Sequence, residues 1–180
     1  MTEASVRAAI KSYMDAGAIP GVQDAWYQDE PWFLAGQSWK LSTNGGAGAI
    51  GYIHLDEHEE FRMTVGGVIG TKPAGQKMVH HTVSFVLQYQ YLIPGKLATG
   101  FRQDDWVRPL DTILDGTIAR IQNDPTFGCG TNGPIFDAGQ GYNGSAHIRV
   151  QRDLPVQPPG GGKVFSWNRI AIDVLEIITA

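Results

Sequence analysis

The chain has one cysteine, Cys129, among 180 residues, so no intrachain disulfide can form. That usage fits a reducing compartment, and Cys129 reads as a small residue in a Gly-rich loop rather than a reactive thiol. Charge is also scarce. Charged residues make up 18% of the chain, against about 25% in a typical domain. Basic residues number 14 against 18 acidic ones, for a formal charge of −4, and no Lys/Arg run occurs. A surface built to grip nucleic-acid phosphates is therefore disfavoured. No apolar run approaches the roughly 20 residues that span a bilayer. The first 30 residues lack the charged start and apolar core of a secretory signal. The expectation is a protein made in the cytoplasm, or part of a soluble particle, with no membrane contact.

What is present suits a single domain over residues 1–180. Chains of roughly 100–200 residues usually form one domain, and 42% hydrophobic residues supply a core. The 23 glycines imply many turns and loops.

Residues 3–16 read as an amphipathic helix, with Val6, Ile10 and Met14 spaced by four and Gly17 as a stop. Residues 20–48 are irregular and aromatic: Trp26, Tyr27, Trp32, Phe33 and Trp39 must cover a core edge or meet a neighbour. Residues 50–55 form a short strand, Asp56-Glu57-His58-Glu59 an acidic turn, and Phe61, Met63 and Val65 alternate in a returning strand, which together give a hairpin. Residues 78–92 make the clearest strand, with Val79, His81, Val83, Phe85, Leu87, Tyr89 and Tyr91 on one side. At about 3.3 Å per residue it spans most of a domain this size. A second helix covers residues 105–122, with a stripe of Val107, Leu110, Leu114, Ile118 and Ile121. Pro109 is tolerable only in its first turn. Residues 126–144 are a Gly-rich loop, long enough to be functional or disordered. Ala146, Ile148 and Val150 alternate in one closing strand, and residues 164–178 form another beyond a Pro/Gly turn at 155–162. The expected fold is α+β: one mostly antiparallel sheet of about five strands, with both helices on one face.

Catalytic and cofactor motifs fail on context. Gly46-Gly48-Gly51 and Gly139-Gly141-Gly144 match G-x-G-x-x-G, but both run into strands where a dinucleotide site needs a helix. The P-loop-like stretch 70–77 fails on spacing. His54 and His58 have the i, i+4 spacing of a helical metal site, which would serve a small metal-dependent hydrolase. They flank a turn, however, and exposed histidines are the simpler reading. His80 and His81 point to opposite faces of a strand. No nucleophile elbow occurs. The expectation is a non-enzyme with no cofactor and no metal.

Four stretches carry a family resemblance. They are the opening helix, the strand 78–92, the second helix with its loop (Leu-Asp-Thr-Ile-Leu-Asp-Gly-Thr-Ile-Ala-Arg-Ile-Gln-Asn-Asp-Pro-Thr-Phe-Gly), and the last strand (Val-Phe-Ser-Trp-Asn-Arg-Ile-Ala-Ile-Asp-Val-Leu-Glu-Ile). Together they resemble the tail terminator proteins of long, non-contractile-tailed bacteriophages, particularly those infecting actinobacteria. The resemblance implies an α/β protein in a homo-hexameric ring at the head-proximal end of the virion tail. Its partners would be further copies of itself, the tail tube protein and the head connector or stopper protein. DNA would pass through without sequence-specific binding. A stopper or adaptor of the same head-to-tail region is the nearest alternative. From the residues themselves, Phe127, Ile135, Phe136 and Tyr142 are candidate interface groups on a loop that orders on a partner. A loop folded back over its own core is the competing reading. Asp56, Glu57 and Glu59 are candidates for the rim or lumen, where negative charge would keep DNA from sticking.

Overall fold

A computed structural model describes residues 3–23, 25–28, 47–63, 76–92, 104–130, 137–138, 148–156 and 163–179. The elements run in the order α1 (Glu3–Asp15), β1 (Ala47–Met63), β2 (Gln76–Leu92), α2 (Asp104–Asn123), β3 (Asp137–Ala138), β4 (Arg149–Arg152) and β5 (Lys163–Thr179). This is an α+β fold with two helices and one antiparallel sheet. The path across the sheet is β1-β2-β5-β3, four strands wide, and β4 also lies against β5.

Three strands of 17 residues dominate. β1 and β5 flank β2 along its whole length. At about 3.3 Å per residue each strand is roughly 55 Å long. Pairing of this extent corrects the expected hairpin at residues 50–65. The acidic stretch is not a turn, because β1 runs through it with a bulge between Leu55 and Glu57. Such a bulge leaves one extra residue, Asp56, unpaired and changes which side the following residues face. Charge made the stretch look like a turn, whereas a continuous partner in β2 holds it extended. The expected set of strands changes accordingly. Two of them merge into β1, and β3 forms inside the segment expected to be a Gly-rich loop.

One side of the sheet carries the helices. Val6, Ile10 and Met14 of α1 and Leu110, Ile113, Leu114 and Ile121 of α2 are buried against Ile53, Val83, Phe85, Leu87, Ile170 and Ile172. Burying an aliphatic side chain of this size contributes about 1.5–3 kcal/mol, so this side supplies most of the apolar stabilisation. The helices are also tied to each other. The Tyr13 hydroxyl donates to the Arg120 carbonyl at 2.9 Å, Arg120 donates to the Tyr13 carbonyl at 2.6 Å, and the Arg120 guanidinium lies 3.8 Å from the Tyr13 ring centre. α2 begins earlier than expected, at Asp104, which places Pro109 in the second turn. Proline there cannot donate to the carbonyl four residues back.

The aromatic segment contributes Trp26, which is 1% exposed. Its backbone N–H donates to Asp15 at 2.7 Å, and its ring meets Phe85 edge-on at 5.9 Å. Gly51 makes room for it, since a methyl group there would sit 2.5 Å from the indole. Around Trp26, residues 21–23 and Tyr27 run parallel to β1 and hydrogen-bond with it at Ala49, Gly51 and Ile53.

Candidate assembly surfaces

The side of the sheet away from the helices is polar and organised. Register places His54, Ser84 and Ala171 on one line across β1, β2 and β5. Asp56, pushed out by the bulge, accepts a hydrogen bond from the Ser84 hydroxyl. Its other oxygen lies 3.6 Å from Arg169 and 3.7 Å from His54. One step along, Asp173 accepts from the Thr82 hydroxyl at 3.2 Å and lies 3.4 Å from Arg149 and 3.6 Å from His80. Each buried or half-buried carboxylate is thus matched by cations and hydroxyls, as burial demands.

Neither cluster has the geometry of a hydrolytic site. A serine nucleophile needs an imidazole against its hydroxyl. Ser84 meets a carboxylate instead, with His54 on that carboxylate's far oxygen. Among the described residues no group of three or more His, Cys, Asp or Glu could hold a metal ion. The bulge also separates the two histidines of the hydrolase reading. Position 54 pairs with Ser84 before the bulge, and position 58 pairs with His81 after it. His81 departs from the expectation of exposed strand histidines: it is 1% exposed, with Nε2 3.0 Å from Glu176.

Next to the Asp56 cluster is a groove of about 380 Å³, lined by Tyr52, Val86, Trp167, Asn168, Arg169, Gln151 and Asp153. It offers two aromatic rings with a cation and a carboxylate beside them. Large aromatic and Arg groups of this kind carry much of the energy in protein contacts.

The two long borders of the sheet differ. On the β5 side, β4 pairs at residues 149–152, and the chain returns to bridge Val156 to Phe165. This border is exposed throughout, with Val150 43%, Leu154 86% and Val156 54% exposed. It also carries Arg149 and Arg152, the latter 2.7 Å from Asp111. On the β1 side, residues 21–23 and Tyr27 cover the strand only as far as Ile53. Beyond it, among the described residues, nothing pairs with the outer edge of β1, where Glu57 and Glu59 are exposed.

Of the other candidates, Phe127 is corrected from an interface residue to a core residue. It is 3% exposed and packs on Tyr13 at 5.5 Å and Phe85 at 6.2 Å between ring centres. Its left-handed backbone, φ 50°, is held by Asp124. That carboxylate accepts from the Thr126 hydroxyl at 2.6 Å and from the backbone N–H groups of Thr126 and Gly128, each at 2.9 Å. These bonds, led by the Thr126 hydroxyl, hold the Asp124 carboxyl below its ordinary range. Ile135, Phe136 and Tyr142 lie outside the described residues. The closing strand expected around Ala146, Ile148 and Val150 is described at Arg149–Arg152 as β4, and what the sequence did not foretell is that pairing resumes at Val156, inside the stretch that Pro155 marked as a turn. The signal was there in Leu154 and Val156, two apolar residues beside the alternating Arg-Val-Gln-Arg of β4. No protein-family model matches the chain, and no curated protein matches it. Among the described residues no helix is long and apolar enough to cross a membrane.

Proposed function

We propose that the chain is a structural assembly protein of a bacteriophage virion, a tail terminator. It would form a ring, a hexamer on the resemblance alone, that caps the tail tube, ends its polymerisation and joins the tail to the head connector. The observation that carries this reading is that, among the described residues, one sheet has two dissimilar borders left open. A ring needs each subunit to offer two different patches, one for each neighbour. The exposed Val150, Leu154 and Val156 support it further, because unpaired sheet borders with apolar side chains invite another chain. The excess of acidic over basic residues suits a channel through which DNA slides without being held.

The test is direct. The purified chain, alone and mixed with the cognate tail-tube protein, is measured for mass in solution and imaged on tubes. The reading expects a ring at one end of each tube and tubes that stop growing once it binds. Tubes that lengthen unchanged, with no bound chain, would remove it. A stopper or adaptor would instead bind the connector and leave tube growth unaltered.

A further inference from the structure

We propose that two copies of the chain pair through β4, antiparallel and centred on Gln151, so that one sheet runs through both. The pair goes beyond the ring reading and does not rest on it. Within that reading it is the form the chain takes before it meets a tube, because a β4 border already paired is not free for a ring neighbour.

The backbone sets up this edge. β5 lies along one side of β4, and among the described residues nothing pairs with the other side. The Asp153 N–H donates to the Trp167 carbonyl at 3.2 Å, so Arg149, Gln151 and Asp153 direct their N–H and carbonyl groups at β5. Val150 and Arg152 direct theirs outward. Residues 149–156 are all exposed, Leu154 to 86%. An unpaired edge with apolar side chains is a template for another strand.

This alternation restricts the register. Residues opposite each other in an antiparallel pair both point outward or both point inward, so a strand paired with its own copy must centre on a residue. A centre at Arg152 sets Arg152 against Arg152, and one at Asp153 sets Asp153 against Asp153. Like charges directly opposite are unfavourable. A centre at Val150 sets Arg149 against Gln151 and Arg152 against Ile148, with no opposite charges meeting. A centre at Gln151 sets Arg149 of each copy against Asp153 of the other, Leu154 against Ile148, and the two Gln151 amides together on the axis. Arg149 and Asp153 share the polar side of the sheet, because they stand beside Ala171 and Trp167. Arg149 lies 3.4 Å from its own Asp173, yet its side chain is 55% exposed, and the guanidinium has five N–H donors, which leaves some for the second copy. Arg152 faces the helix side, is neutralised by its own Asp111 at 2.7 Å, and meets the second copy's Val150. The mixture of signs along β4 thus makes the strand complementary to itself, as a two-fold contact requires.

The test uses the isolated full chain. Mass in solution should show a dimer whose share grows with concentration. Val150→Pro removes one outward N–H, which an edge strand tolerates, and should weaken pairing by at least about tenfold while circular dichroism and melting change little. Asp153→Arg, at an exposed position, sets Arg against Arg149 and should also weaken it; this variant decides if Val150→Pro fails to fold. A crosslink tests the register. Opposite residues at a non-hydrogen-bonded position have Cα atoms about 4.5 Å apart, within reach of a disulfide. Gln151→Cys in a Cys129→Ser background should therefore oxidise to a linked pair, whereas Arg152→Cys, which stands opposite Val150, should not. A chain that stays monomeric at every concentration overturns the pair. So does an assembly of any size in which Gln151→Cys fails to link, or one that folded Asp153→Arg forms as well as the wild type. Capping of tubes is scored separately: tubes that lengthen unchanged remove the ring reading and leave the pair standing.

Discussion

The two faces of β2 show how one strand serves two purposes. Toward the helices it presents Val83, Phe85, Leu87 and Tyr89, all completely buried and packed by side chains from both helices and from Trp26. Toward the other side it presents Thr82, Ser84, Val86, Gln88 and Gln90. Several of these are just as inaccessible, yet their neighbours are carboxylates, cations and a polar groove. Burial alone therefore does not mark the stabilising face. Apolar complementarity does, because only there does removal from water bring a net gain without a polar group to compensate.

The strongest way to break this contrast is to truncate one residue on each side. Phe85→Ala should cost about 3–5 kcal/mol, with most of that arising from the cavity left between Trp26 and Phe127. Val86→Ala, its neighbour on the polar side, should cost about 1–2 kcal/mol. Urea unfolding measures both, and equal losses would mean the two faces are built alike. A smaller effect is expected at Gly51. The Trp26 ring is too rigid to yield to a methyl 2.5 Å away, so Gly51→Ala should destabilise by about 1–3 kcal/mol, and Trp26 fluorescence should shift.

Gln90 sharpens the comparison from the other direction. It is fully buried, and neither amide atom has a hydrogen-bond partner. Gln90→Leu keeps the volume and removes the unmet polar groups, so stability should rise by about 1 kcal/mol. A loss instead would show that bound water satisfies the amide.

The smallest effect concerns pH. Asp124 has its pKa lowered in the folded state, chiefly by the Thr126 hydroxyl. Its contribution is therefore complete above the unfolded value of 3.8 and fades as pH falls through the lower folded value. Wild type should outlast Asp124→Asn in thermal melts near neutrality, and the gap should close below pH 4. A gap that stays constant into acid would deny the turn this role.

Much of the architecture was legible in local pattern. The Val6, Ile10 and Met14 stripe and the alternation from Val79 to Tyr91 each specify one element, because a buried side repeats at the period of the helix or strand. The site was less legible. Asp56, Glu57 and Glu59 have turn-like composition, and their polar character hid a strand that exists only because β2 pairs with it. Phe127 sits in a Gly-rich stretch that resembles a mobile loop, and its place in the core depends on Tyr13 and Phe85, far away in sequence.

By itself the amino-acid sequence determined the two helices, the long central strand, the surplus of acidic charge and the impossibility of an internal disulfide. Each follows from composition or from spacing within a few residues. Tertiary structure decided where β1 bulges, which side each carboxylate of the Asp56 and Asp173 clusters faces, that Gly51 must admit an indole, and how differently the two sheet borders are built. Those outcomes depend on contacts between residues tens of positions apart, and no local period encodes which distant partner a strand edge will meet.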